Sequence, residues 1–205
     1  MRGSNSYRLI EEEGWRSLQI EGSPKRAAKM RKNLAKFPGV TALEAWVWPG
    51  NIELLFEENG VPRDLDLLVI DIDSNDYYVW RAIHEFRPKA VMIEVNPGFP
   101  PPEKMVIDYH PMNYWDLTGY FGASLQSLYE LGKKKGYELV YHMSHGGNAL
   151  FVDAQYFPLF GIRDNSPKAL FNEPPEVMSP LLKQGGDKNL IWKNLKIEKK
   201  LLHHR

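Results

Sequence analysis

The chain has 205 residues, 26 basic and 26 acidic side chains, and no cysteine. A formal charge of zero leaves no electrostatic footprint for nucleic acid or an anionic membrane as partner, and the missing cysteines exclude disulfides, zinc–thiolate sites and cysteine nucleophiles. With 43% hydrophobic and 12% aromatic residues, the chain has material for a real core.

Residues 4–13 predict a short helix, with Ser4, Asn5 and Ser6 as capping oxygens and Gly14 as the stop. The N-terminus has no apolar segment of signal-peptide type, and no run approaches the ~18 apolar residues of a membrane span; the expected location is cytoplasmic. Residues 15–20 alternate as a strand does and end at Glu21-Gly22. Ser23-Pro24 opens a basic helix over 24–35, with Ser23 at the cap and Pro24 at the first helical position. Residues 40–47 form a second strand, and Asn51 can cap a helix over 52–58. Residues 65–70 are almost continuously apolar, as in a strand buried on both faces. A helix over 76–86 and a buried strand over 90–95 follow. Residues 97–116 are irregular and rich in proline and aromatics. A helix over 124–135 precedes two strands, 137–142 and 149–153, joined by a His145-Gly146-Gly147 turn.

Alternating strands and helices imply an α/β fold with a mostly parallel sheet. The last strand pair suggests one antiparallel strand at the sheet edge. From residue 161 the periodicity fades, so a domain over 1–160 and a C-terminal tail or loosely docked extension over 161–205 are expected.

In open parallel sheets ligands sit beyond the carboxyl ends of the strands. Three such ends are polar here: Glu21; Asp71 and Asp73; Glu94 and Asn96. Glu21, before flexible Gly22, suits a ribose diol, or else caps the following turn. Asp71 and Asp73 share one face if their strand continues that far. Two like charges at close range need a cation or a shared proton. With Glu94 or Asn96 they could form an oxygen-rich site for Mg²⁺-type cations; a general base is the other chemical option. The structural alternative is that Asp73, Ser74, Asn75 and Asp76 cap the next helix. Trp46 and Trp48 could stack on a purine or lie in the core. His84, Tyr109, His110, Tyr114, Trp115, Asp116, His142 and His145 are weaker candidates.

Four segments occur in order: Gly14-Trp15 to Pro24, Asp66 to Tyr77, Ile93 to Pro97, and Tyr120 to Leu125. Together they resemble the FkbM-like methyltransferases, a branch of the class I S-adenosylmethionine-dependent enzymes, over about residues 3–157. The resemblance implies a Rossmann-like sheet and methyl transfer, usually to oxygen. It gives Glu21 and Gly22 the cofactor ribose, Ala45 and Trp46 the adenine, and Asp71 a place beneath the methyl donor. Asp71, Asp73, Glu94 and Asn96 fall where catechol-type O-methyltransferases hold a divalent cation.

The family's first strand and most of its glycine-rich cofactor loop have no counterpart here. Gly3-Ser4-Asn5 matches only the end of that loop. The missing strand would lie between the Glu21 and Asp71 strands, and its loss would favour self-association into a homo-oligomer. Two functions are therefore expected in competition. One is an S-adenosylmethionine-dependent O-methyltransferase acting on a small molecule or glycan, with Asp71 and Asp73 as catalytic groups. The other is a methyltransferase-like module that does not bind the cofactor.

Overall fold

The computed structural model describes residues 5–115, 119–143 and 147–173. Gly3, Ser4, Asp116, His145, Gly146 and the tail from 174 on lie outside the described residues. The described residues form two compact units, one drawn from 5–70 and 78–91, the other from 71–77 and 92–173. The chain crosses between the units after Ile70, Tyr77 and Val91.

In the first unit, α1 (Tyr7–Glu13) ends at Gly14, whose φ of 66° is the left-handed value that stops a helix. Trp15 N–H donates to Leu9 O at 3.1 Å. Two short parallel strands follow, β1 (Ser17–Glu21) and β2 (Val40–Glu44), joined by α2 (Pro24–Leu34). Ser23 is extended and Pro24 takes the first helical position, but the Ser23 side chain makes no cap bond. The register pairs Ser17 with Val40 and Glu21 with Glu44. Hence β2 stops before Ala45 and Trp46, which lie beyond its end.

α3 (Ile52–Glu58) buries Ile52 and Phe56. Asn51 does not cap this helix; its Oδ1 accepts from Trp48 N and its Nδ2 donates to Trp46 O, both at 2.8 Å. Phe56 meets Phe86 edge-on, with centroids 5.1 Å apart. β3 (Leu67–Ile70) is short and alternates, burying Leu68 and Ile70 and leaving Leu67 and Val69 half-exposed. It is thus not buried on both faces. α4 (Asp76–Ala82) stops short of the expected residue 86.

The second unit holds β4 (Ala90–Glu94, of which residues 92–94 belong here), β5 (Tyr137–His142), β6 (Asn148–Asp153) and α5 (Leu125–Lys135), which packs against β5. Ile93, Val95, Leu125, Leu128, Leu139 and Phe151 are fully buried. The four-stranded sheet has the order β3-β4-β6-β5, and β5, at its edge, runs antiparallel to β6. Ser124 caps α5, its Oγ accepting from Ser127 N at 3.3 Å and from Met105 N at 3.1 Å. Val106 bridges Ala123, which ties the middle of the irregular segment to the residue before Ser124.

The strands fall into two separate sheets. β1 pairs only with β2, and no strand among the described residues joins that pair to the β3-β4-β6-β5 sheet. The expected tail is docked over its first part. α6 (Pro167–Leu170) packs on β5, Asn165 Nδ2 donates to Glu138 Oε2 at 2.6 Å, and Asn172 N–H donates to His142 Nδ1 at 3.0 Å. Apolar Pro167 and Phe171 explain the docking: the first is buried and the second stacks on His142 with centroids 5.0 Å apart. No helix among the described residues is long and apolar enough to cross a membrane.

Candidate functional site

β3 ends at Ile70, so Asp71 and Asp73 do not converge through strand alternation as the sequence implied. A turn brings them together instead. Asp73 has φ 65°, the one non-glycine residue with positive φ among the described residues. Aspartate tolerates this region better than most side chains. The turn is closed by Asp76, whose Oδ1 accepts from Ile72 N and Oδ2 from Ser74 N, each at 2.9 Å. Asp76 is fully buried, opens α4 and braces the turn that precedes it. Asn75 ties the turn to the irregular segment by donating from Nδ2 to His110 O at 2.9 Å.

The result is a cluster of three carboxylates within the second unit. Asp71, Asp73 and Glu94 each place one oxygen so that all lie within 4.8 Å of one another. Burial pushes the Glu94 carboxyl well above the ordinary carboxylate range, and the charges of Asp76, Asp71 and Asp73 push it further. Burial also raises Asp76, against the pull of the Ile72 N–H, with the charge of Asp71 adding to the rise. Glu94 Oε2 is buried and has no hydrogen-bond partner. Close, partly buried acid oxygens with such an orphan are what a hard divalent cation takes as ligands. On that test the residues present fit a cation.

Asn96 is placed differently. It is fully buried, and its Nδ2 donates to Gly119 O at 2.8 Å and Phe121 O at 2.9 Å while Oδ1 accepts from Gly98 N at 3.0 Å. Its amide is thus committed to the backbone, where it holds the segment leading into α5. Asn148, which the sequence did not single out, opens β6 and donates from Nδ2 to Asp71 Oδ2 at 3.4 Å. The signal that could have found it is a polar residue opening the otherwise apolar run Ala149 to Val152.

Glu21, Gly22, Ala45 and Trp46 come together in the first unit, at the ends of β1 and β2. Ala45 N–H donates to Glu21 O at 3.1 Å. The Trp46 ring lies so close to Gly22 that a Cβ there would meet it at 2.8 Å, so only glycine fits. Trp46 is 36% exposed. Glu21 Oε1 accepts from Ser23 N at 2.8 Å, which satisfies the turn-capping alternative and leaves Oε2 for a hydroxyl donor.

The remaining candidates have other roles. His84 is exposed, and only its backbone N–H is bonded, to Glu53 Oε1 at 2.7 Å. His142 is buried against Phe171 and Asn172. His110 Nδ1 accepts from Met112 N at 3.2 Å. Trp115 meets Phe121 edge-on, with centroids 6.1 Å apart. No protein-family model, curated protein or solved structure matches the chain.

Proposed function

We propose that this chain is a Rossmann-like S-adenosylmethionine-dependent methyltransferase that acts on a hydroxyl of a small molecule or glycan, with a divalent cation at Asp71, Asp73 and Glu94. The observation that carries the reading is the convergence of these carboxylates at the carboxyl ends of β3 and β4, where α/β sheets bind their ligands. Two further features support it. In this reading Glu21, at the end of β1, meets the ribose, and Trp46, just past β2, meets the adenine. The antiparallel β5–β6 pair at one edge of the sheet is compatible with such a fold.

S-adenosylmethionine supplies, when bound, an electrophilic methyl group. The chain's own residues have to bind the acceptor and deal with its proton. Asp71 and Asp73 would do this either by holding a cation, which would supply acidity to the acceptor hydroxyl, or by taking the proton directly.

A second reading is favoured by one observation: β1-β2 and β3-β4-β6-β5 are separate sheets among the described residues. In that reading the chain is a non-catalytic module. Calorimetry with S-adenosylmethionine and S-adenosylhomocysteine, each with and without Mg²⁺, decides between them. Saturable heat with either compound supports the enzyme, and loss of that heat in Glu21→Ala assigns the ribose contact. No heat at millimolar cofactor overturns the enzyme in favour of the module.

A further inference from the structure

We propose that Asn148 is a ligand of the divalent cation, supplying a neutral amide oxygen from β6 beside the three carboxylates; this rests on the cation reading above.

Asn148 is 4% exposed. Its Nδ2 is held at 3.4 Å from Asp71 Oδ2, and its Oδ1 is buried with no hydrogen-bond partner. Both atoms hang from one carbon, so the orphan oxygen lies beside the same acidic cluster. A buried amide oxygen without a partner is costly, and a ligand that uses it recovers that cost. Hard divalent cations accept asparagine carbonyl oxygens alongside carboxylates. A neutral fourth oxygen also adds coordination without adding repulsion among three acids.

The backbone fixes the position. Val95 N–H donates to Gly147 O, which locks the residue after Glu94 to the residue before Asn148. Glu94 and Asn148 therefore come from neighbouring strands held by a direct bond, the rigid support a metal site needs. The contrast with Asn96 is informative, since every polar atom of that amide is used by the backbone. Asn75 also has a buried, unpartnered Oδ1, but its Nδ2 is directed to His110 O rather than to an acid. When no cation is bound, Asn148 turns its N–H₂ to Asp71. When one is bound, the attraction belongs to the oxygen.

The test is Mn²⁺ binding by the full chain, with free Mn²⁺ read by electron paramagnetic resonance. The wild type is expected to bind one ion, and Asp71→Asn to lose most of that affinity. Asn148→Ala is expected to weaken binding by roughly 10- to 100-fold. Asn148→Asp keeps the shape and an oxygen but loses the N–H₂, and is expected to bind at least as tightly as the wild type. Wild-type affinity in Asn148→Ala, with binding lost in Asp71→Asn, overturns the Asn148 assignment and leaves the cation reading standing. Equal weakening in Asn148→Asp and Asn148→Ala makes the contact to Asp71 the whole role and overturns the ligand assignment. No Mn²⁺ binding by the wild type overturns both. If Asn148→Ala does not fold, the isosteric Asn148→Asp carries the decision alone.

Discussion

Glu94 has a partly buried carboxyl with three acids around it, and this sets the pH behaviour of the cluster. Its pKa is raised in the folded chain, first by burial and then by its neighbours' charges. Without a cation, the folded state holds a proton there that the unfolded chain releases above about pH 4.3. Stability from this group is therefore present at low pH and falls as pH rises from that point. A cation needs the carboxylate, so binding expels the proton. Mn²⁺ affinity is expected to rise with pH between 6 and 8, by up to about tenfold per unit if one proton leaves. Glu94→Gln is expected to bind more weakly and to flatten that slope; an equally steep slope in the variant would place the proton elsewhere. Asp73 makes the complementary case for strain. Asp73→Gly relieves about 1 kcal/mol of left-handed strain, offset in part by glycine's freedom in the unfolded chain. The melting temperature is expected to hold or rise while Mn²⁺ affinity drops, on the order of tenfold or more. A drop in melting temperature would show that the Asp73 side chain supports the turn rather than a ligand. The cluster was legible because acids at a strand end are conspicuous. The way it closes was not, since a left-handed aspartate and a buried Asp76 leave no periodic signal. Asn148 was missed because one asparagine at a strand start reads as turn chemistry.

The elements show which local signals sufficed. Gly14, Pro24 and Ser124 marked helix ends in the sequence, and each does so in the structure. α3 and β5 fall on their expected residues. Strand limits were less legible: β2 stops at Glu44 because apolar residues continue past the last paired position, and β3 starts only at Leu67 although it ends at Ile70 as expected. The docking of 166–172 on β5 was invisible, since prolines and polar residues mask the few side chains that anchor it. His142 anchors it most. Its Nδ1 accepts from Asn172 N, the Asn172 side chain donates to His142 O, and burial pushes its pKa down to about 4. The ordinary value is about 6.5, so the unfolded chain binds the proton first as pH falls. The stability held by the neutral ring is present above pH 6.5 and is lost toward pH 4. Thermal melts of wild type and His142→Gln across that interval check this. The wild-type midpoint is expected to fall with pH more steeply than that of the variant, and parallel curves would remove His142 as the anchor.

At the scale of the whole molecule, the strand–helix alternation made the α/β class legible. The division into two units was not, because it runs through α4 and β4 rather than along a linker. All of Asp71, Asp73, Glu94 and Asn148 belong to the second unit, whereas Glu21 and Trp46 belong to the first. A ligand stabilises the parts whose folded state it binds. Adding Mn²⁺ is expected to slow amide hydrogen exchange at Ile72, Ser74 and Val95 and along β6. β1 and β2 are expected to keep their rates. Equal protection of both units would mean that they open together, or that the ion binds elsewhere.

Gly147 carries a consequence for how this chain can change by mutation. It has φ 66°, and a Cβ there would meet Val95 O at 2.8 Å, which is backbone and cannot swing aside. Gly161 has a similar φ of 62° but nothing within 4 Å of the corresponding point. In a saturation library, asparagine and aspartate should survive at position 161, at a cost of about 1 kcal/mol. Position 147 should admit glycine alone, since any substituent drives β6 off β4 and carries Asn148 away from Glu94. The boundary between tolerated and forbidden sequence is thus drawn here by a single carbonyl oxygen.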